Sequence, residues 1–193
     1  MRIVGGRLGG RHLRIPVGKH TRPTSERVRE AIASLLDARG AIDGAEVLEL
    51  YAGTGALGFE LLSRGAKRVV FVERDPAMSG LLKRSAEALG VTSEVEVLRS
   101  DVTRARSHDE VLARAPFSLV VADPPYADAE QALGALTGLV KRGLLGDEAL
   151  LLLETSAKRI PNLPPEFELL SEYRYGDTAV ALFTPVRHGG EER

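Results

Sequence analysis

The chain has 193 residues, of which 44% are apolar, so it can form one substantial α/β domain with a buried core. It contains no cysteine, which excludes disulfides, cysteine nucleophiles and thiolate metal sites, and no apolar run has the length of a signal peptide or a membrane span. The first 25 residues hold six basic residues and no acid, whereas the other 20 basic residues and all 27 acids lie downstream, leaving −7 on the rest of the chain.

The basic N-terminal segment contains two short β-prone runs, residues 2–4 and 11–15, on either side of a glycine-rich stretch. This pattern predicts a hairpin, which is either an arm that contacts nucleic acid or a cover for the sheet. A basic arm on an acidic body favours a polyanionic partner, although arginine bias can also be purely compositional. The predicted RNA-contacting residues are Arg2, Arg7, Arg11, Arg14, Lys19 and Arg22. We predict an arm over 1–22, a main domain over 23–185 and a polar tail over 186–193.

Downstream of residue 23, helical and strand patterns alternate. Helices are predicted at 24–39, 56–64, 76–89, 103–114 and 128–142. Strands are predicted at 46–51, 68–73, 94–99, 117–122, 149–154, 167–175 and 178–184. Asp75 and Pro76 are typical of the N-cap and first position of a helix. Short apolar strands separated by helices predict a mostly parallel sheet covered on both faces, and Gly176-Asp177 predicts a hairpin between the last two strands.

A glycine-rich loop, from Glu49 to Gly58, follows the first strand of the main domain. The glycines allow a tight turn and a close approach of the backbone to a ligand. Their spacing alone suits a nicotinamide-dependent enzyme, a methyltransferase or a structural turn. Glu49 narrows the choice, because its carboxylate would repel a pyrophosphate but attract the cationic end of S-adenosylmethionine.

Two further acids follow the next two predicted strands. Glu73 ends the second strand, where a carboxylate can accept hydrogen bonds from ribose hydroxyls, and Asp101 follows the third, near the expected adenine. Each could equally be a solvated loop carboxylate, but open sheets bind ligands at the carboxyl ends of their strands. The predicted cofactor-binding set is Glu49, Tyr51, Gly53, Gly55, Glu73, Arg74, Asp101 and Asp123.

The tetrapeptide Asp123-Pro124-Pro125-Tyr126 ends the fourth strand. As a bare motif it could be only a stiff strand exit, since proline fixes φ and blocks further pairing. Its chemistry suits transfer of a methyl group to an exocyclic base amine, whose lone pair is delocalised into the ring. Asp123 and the carbonyl of Pro124 could each accept one amine hydrogen, while Tyr126 stacks on the base. These three are the predicted catalytic residues, and no metal is expected.

The chain resembles bacterial methyltransferases that act on the N2 amine of guanine in small-subunit ribosomal RNA. The resemblance rests on RIVGGRLGGRHLRIP at the N-terminus, RPTSERVREAI at 22–32, LELYAGTGALGFELLSRGA at 48–66, VERDP at 72–76 and DPPY at 123–126. It implies a Rossmann-like class I fold with a seven-stranded, mostly parallel sheet, a C-terminal β-hairpin and a short N-terminal β-hairpin arm. It also implies S-adenosylmethionine as cofactor, S-adenosylhomocysteine as product and ribosomal RNA, naked or within an assembling subunit, as substrate.

Three other functions remain open at the level of sequence. A DNA adenine-N6 methyltransferase shares the DPPY motif, and a nicotinamide-dependent oxidoreductase shares the glycine loop. The oxidoreductase function has no support outside that loop. In particular, no tyrosine is followed four residues later by a lysine, so the common Tyr–Lys pair for hydride transfer is absent from the sequence. A non-catalytic RNA-binding module would explain the basic segment but not an intact DPPY motif. We expect a cytoplasmic monomer without a membrane partner.

Overall fold

The computed structural model describes residues 1–14, 26–158 and 161–186. Its helices are α1 (Glu26–Ala38), α2 (Ala56–Ser63), α3 (Pro76–Leu89), α4 (Ala105–Leu112) and α5 (Ala129–Val140), with a 3-10 helix at Tyr126–Asp128. Its strands are β1 (Glu46–Leu50), β2 (Arg68–Val72), β3 (Val95–Leu98), β4 (Phe117–Ala122), β5 (Leu145–Ser156), β6 (Phe167–Tyr175) and β7 (Thr178–Pro185). No helix within the described ranges is long and apolar enough to cross a membrane.

The seven strands form one sheet in the order β3-β2-β1-β4-β5-β7-β6. Strands β1 to β5 are parallel, and β7 is antiparallel to both of its neighbours. The predicted fold, with five parallel strands extended by a C-terminal hairpin, is therefore confirmed. The chain adds β2 and β3 on one side of β1 and then β4 and β5 on its other side, so the strand order reverses between β1 and β4. Sheets of this kind bind ligands at the carboxyl ends of the strands at this switch point.

The core lies on both faces of the sheet because successive strand residues point to opposite sides. Val47 and Leu119 contact the cluster that includes α1, α2 and α3. Leu48 and Val120 contact the other cluster, formed with α4 and α5. Burial on both sides explains why these strands are continuous apolar runs rather than alternating ones.

Strand β5 begins earlier than the predicted residue 149. Phe117 pairs with Leu145, but the next pair is Leu119 with Leu150, so the β5 side contains extra residues at an irregularity in the ladder. Glu148, inside this irregularity, has a φ of +59°. The strand start was not predicted because residues 146–148 are a glycine and two acids, which interrupt the run of apolar residues.

The N-terminal segment is a hairpin-like loop that is packed on α2. Arg2 and His12 form an antiparallel bridge, and Ile3, Leu8 and Leu13 are buried in the first hydrophobic cluster. The loop therefore covers the domain, which was one of the two possibilities predicted for it.

Side chains of α2 hold this loop in place. The fully buried Glu60 accepts hydrogen bonds from the backbone nitrogens of Val4 and Gly5 at 2.7 and 2.9 Å. The Ser63 hydroxyl accepts from the nitrogen of Leu8 at 2.9 Å, and the Ser63 carbonyl accepts from the nitrogen of Arg7 at 2.8 Å. These four hydrogen bonds fix the N-terminal loop to α2.

Candidate functional site

A pocket opens at the carboxyl edge of the sheet, at the switch point between β1 and β4. It is lined by Met1, Arg29, Ile32, Glu49, Tyr51, Ala52, Gly53, Thr54, Ala56, Leu57, Val121, Ala122, Asp123, Leu152 and Glu154. Four of the predicted site residues, Glu49, Tyr51, Gly53 and Asp123, are thereby brought together. Gly55, Glu73, Arg74 and Asp101 are not in the lining.

The glycine loop is a left-handed turn. Tyr51, Gly53 and Gly55 have φ values of +57°, +52° and +71°. A Cβ at Gly53 would meet only the carbonyl oxygen of Tyr51, at 3.9 Å, whereas one at Gly55 would lie 2.4 Å from Leu82 Cδ2. Gly53 is therefore suited to close approach of a ligand, and Gly55 serves the packing of α2 and α3.

Glu49 is buried at the start of this turn. Its Oε2 atom accepts a hydrogen bond from the nitrogen of Gly58 at 2.7 Å, and a Cβ at Gly58 would lie 2.3 Å from that atom. Burial, with the nearby carboxylates of Asp123 and Glu73, raises the pKa of Glu49 to about 8, against the lowering effect of the Gly58 hydrogen bond and Arg29. A cationic ligand end in the pocket would stabilise the charged form.

Glu73 links the end of β2 to the glycine loop. Its Oε2 atom accepts from the nitrogen of Gly53 and its Oε1 atom from the nitrogen of Asp75, both at 2.8 Å. Each carboxylate oxygen retains further acceptor capacity, so the group is oriented in advance for a hydroxyl donor.

Asp101 occupies the corresponding place after β3. Its Oδ1 atom accepts from the hydroxyl and nitrogen of Thr103 at 2.7 and 3.1 Å, and these hydrogen bonds lower its pKa. Arg74 lies 3.9 Å and Arg104 3.8 Å from its Oδ2 atom. Asp101 is thus held ionised beside Arg74, one strand further along the edge than Glu73.

The tetrapeptide after β4 contributes its first residue, Asp123, to the pocket lining. Asp123 is exposed, Pro124 is buried, and Tyr126 begins the 3-10 helix that leads into α5. The Tyr126 side chain lies outside the described part of the structure. Strand β4 therefore delivers an accessible carboxylate to the pocket on a backbone stiffened by two prolines.

Three of the predicted RNA-contacting residues make contacts within the protein. Arg7 forms an ion pair with Glu94, the Nη1 atom of Arg11 donates to the carbonyl of Leu89 at 2.8 Å, and the Nε atom of Arg2 lies 3.8 Å from Glu26. Arg14 is exposed, and Lys19 and Arg22 lie outside the described residues. The four members of this predicted set that the structure describes are all solvent-exposed, so a polyanion can still reach them.

Two buried charged residues of the pocket lie outside the predicted set. Glu154 is near the end of β5, and because Ala122 pairs with Leu153, it lies beside Asp123 on the neighbouring strand. Arg29 is on the buried face of α1. The signal for Arg29 is its spacing, since it precedes Ile32 and Ala33 by three and four residues on the helical face that faces the core.

Tyr51, which is half-buried in the glycine loop, packs against the hydrophobic cluster formed with α4 and α5. Its hydroxyl is buried and has no hydrogen-bond partner among the described residues, and burial raises its pKa to about 12. The phenol therefore stays neutral and acts as a donor to any group that reaches it.

Residues 1–184 match the protein family described as Conserved hypothetical protein 95. The chain belongs to this family. It is 32% identical to the ribosomal RNA small subunit methyltransferase D of Escherichia coli strain K12, over 98% of this chain and 92% of that protein.

Solved structures give the same fold. The hypothetical protein TTHA0928 of Thermus thermophilus aligns with a TM-score of 0.78 and 29% identity, over 94% of this chain and 98% of that one. An RNA methyltransferase of Salinibacter ruber, in complex with S-adenosyl-L-homocysteine, aligns with a TM-score of 0.64 and 17% identity, over 88% and 97% of the two chains. The predicted class I methyltransferase fold is confirmed.

Proposed function

We propose that the chain transfers the methyl group of S-adenosylmethionine to the exocyclic N2 amine of a guanine in small-subunit ribosomal RNA. The observation that carries this proposal is the shared pocket lining of Glu49, Gly53 and Asp123, which brings the buried acid of the glycine loop and an accessible Asp-Pro carboxylate into one pocket. The name of the related Escherichia coli protein supports ribosomal RNA of the small subunit as substrate.

The residues of the pocket edge fit S-adenosylmethionine. Glu49 would attract its ammonium group, the oriented carboxylate of Glu73 would accept its ribose hydroxyls, and Asp101 would lie toward its adenine. Tyr51, Gly53, Gly55 and Arg74 would complete the binding edge. The bound cofactor supplies an electrophilic methyl group on a sulfonium.

Asp123 and Pro124 would prepare the base amine. A carboxylate and a backbone carbonyl that each accept one amine hydrogen favour a pyramidal nitrogen, whose lone pair then points toward the methyl group. Tyr126 would stack on the base. The N–C bond forms as the S–C bond breaks, and the nitrogen then loses a proton. Because Asp123 is exposed, that proton can leave to water directly or through the carboxylate.

The basic N-terminal residues would hold the RNA backbone near the pocket. Arg2, Arg7, Arg11 and Arg14 are exposed on a loop that is fixed to α2, and Lys19 and Arg22 follow in sequence. Phosphate contacts from such residues supply affinity without reading sequence. They would help to offset the few kcal/mol that extrusion of a stacked base costs.

The test is transfer of radiolabelled methyl from S-adenosylmethionine to ribosomal RNA, offered naked and as assembled small subunits, with identification of the labelled nucleoside. We expect N2-methylguanosine, and labelling about a hundredfold or more slower when Asp123→Ala replaces the wild type. Label recovered as N6-methyladenosine would indicate an adenine methyltransferase instead. Absence of transfer to both naked ribosomal RNA and assembled small subunits would contradict the proposal.

A further inference from the structure

Glu154 is a buried acid of the pocket that has no part in the cofactor site or in the methyl transfer described above. Only 5% of its surface is exposed, and it lies near the end of β5, among the residues that line the pocket. A glutamate is seldom buried to this extent unless polar groups surround it. Because a carboxylate can accept about four hydrogen bonds, contacts within the protein leave capacity for a ligand in the pocket.

The register of the sheet places Glu154 beside Asp123. Val121 pairs with Leu152 in the parallel strands β4 and β5, and Asp123 and Glu154 lie two residues further along the two chains. Neighbouring strands are about 4.8 Å apart, and residues two apart on a strand point to the same face. Val121 and Leu152 both belong to the cluster on the face of α1, so Asp123 and Glu154 project from that face and line one pocket together.

An independent observation shows that this pocket is built for a polar ligand. Arg29, which is 1% exposed, also lines it, and no described residue accepts a hydrogen bond from its Nε or Nη1 atom. Buried polar groups are normally paired, because an unmade hydrogen bond in the interior is costly. The acids of the pocket are therefore part of a binding site and not only a solvated patch.

The Watson–Crick edge of a base distinguishes guanine from adenine beside the amine. In guanine the exocyclic amine lies next to N1–H, which is a second donor, whereas in adenine it lies next to N1, which is an acceptor. Enzymes that extrude a base read it through hydrogen bonds to this edge. A second acceptor next to the one that holds the amine therefore favours guanine and repels adenine. Glu154 has this place relative to Asp123.

We propose that Glu154 selects guanine by accepting a hydrogen bond from its N1–H, while Asp123 accepts one from the adjacent hydrogen of the amine. The carbonyl of Pro124 then faces the other amine hydrogen. This inference rests on the proposed function, because it requires that an exocyclic base amine receives the methyl group. Glu154 is a specificity residue in this assignment and takes no part in the movement of the methyl group or the proton.

A base analogue tests the assignment on the wild-type protein. 2-Aminopurine keeps the exocyclic amine of guanine but has an acceptor at N1 and no oxygen at C6. Small-subunit ribosomal RNA is prepared with guanine or 2-aminopurine at the nucleotide that the wild type labels, and kcat/KM is measured for both at saturating S-adenosylmethionine. The wild type should favour guanine about a hundredfold, since a charge-assisted hydrogen bond is lost with the analogue. Equal values would overturn this inference and leave the proposed function standing, whereas no label on guanine would overturn the proposed function.

Substitution then assigns the preference to Glu154. The amide of Glu154→Gln can accept from N1–H of guanine and can also donate to N1 of 2-aminopurine, so the preference for guanine should fall at least about tenfold. An equal loss on both RNAs, with the preference unchanged, would show that Glu154 only supports the pocket and would overturn the assignment. If Glu154→Gln does not fold, Glu154→Met, which removes the acceptor at similar length, should lower the preference in the same way.

Glu49→Gln is the matched control, because it makes the same change at another buried acid of the pocket. This variant should bind S-adenosylmethionine more weakly, but at saturating cofactor it should keep the preference for guanine within about threefold of the wild type. A fall in preference as large as that of Glu154→Gln would show that the total charge of the pocket, and not the position of Glu154, distinguishes the bases. That result would overturn the assignment.

Discussion

Replacement of Glu49 by glutamine tests the electrostatics of the pocket, because it removes the charge and retains an acceptor for the nitrogen of Gly58. The pKa of Glu49 is raised from an ordinary 4.5 to about 8, chiefly by burial. The folded protein thus binds a proton that the unfolded chain has released between these pH values. Stability from this group is fully present below pH 4.5 and is lost as the pH rises through 8.

The size of the effect follows from the shift. At about 1.36 kcal/mol for each pKa unit, the full difference is about 5 kcal/mol, and about 4 kcal/mol of it falls between pH 5 and pH 9. Glutamine does not titrate in this range. The stability of Glu49→Gln relative to the wild type should therefore increase by about this amount from pH 5 to pH 9.

Urea denaturation of both proteins at pH 5, 7 and 9 measures this difference. Subtracting one profile from the other removes the titration of groups common to both proteins. A difference that grows with pH agrees with a buried carboxyl that is neutral in the ligand-free protein. Profiles that run parallel within about 1 kcal/mol would refute the reasoning and show that water reaches Glu49.

Three further outcomes are expected. Glu73→Ala should weaken S-adenosylmethionine binding about ten- to hundredfold in calorimetry, since a charged acceptor is lost, and an unchanged dissociation constant would show that Glu73 does not contact the cofactor. Asp123→Ala should lower methyl-transfer turnover about a hundredfold or more while cofactor affinity stays within a few fold; near-full turnover would rule out its role at the amine. Gly6→Ala should destabilise the protein by more than about 1 kcal/mol in thermal or urea unfolding, because Gly6 has a φ of +73° and an added Cβ would lie 1.9 Å from the Ser63 carbonyl oxygen. The matched control is Gly10→Ala, with a φ of +82° and no neighbour within 4 Å, and an equal loss in both variants would mean that the loop is not docked on α2.

Local patterns were sufficient to predict the elements that form the site. The helix start at Asp75-Pro76 is confirmed, since Asp75 Oδ1 accepts from the nitrogen of Ala77 at 2.7 Å. Strands β1, β2 and β4 lie within one residue of their predicted ranges, because each is an apolar run bounded by turn residues. That is why the amino-acid pattern alone was enough to place Glu49 and Asp123 at the strand ends.

Long-range contacts could not be predicted in the same way. The docking of the N-terminal loop depends on Glu60, which lies 55 residues from its partner Gly5 in the sequence and looks like a surface residue of a short helix. The burial of Arg29 depends on how α1 faces the glycine loop. Glu154 lies beside Asp123 only because β5 pairs with β4 in a particular register. Each feature results from tertiary packing that outweighs the ordinary preference of charged residues for the surface.

A crystal structure of the chain with S-adenosylhomocysteine would test the arrangement of the site most directly. We predict that the ribose hydroxyls lie within hydrogen-bonding distance of Glu73, that the methionine portion lies beside Glu49, and that the sulfur faces Asp123. A ligand bound away from the carboxyl edge of β1 and β4, or one whose sulfur points away from Asp123, would contradict the account.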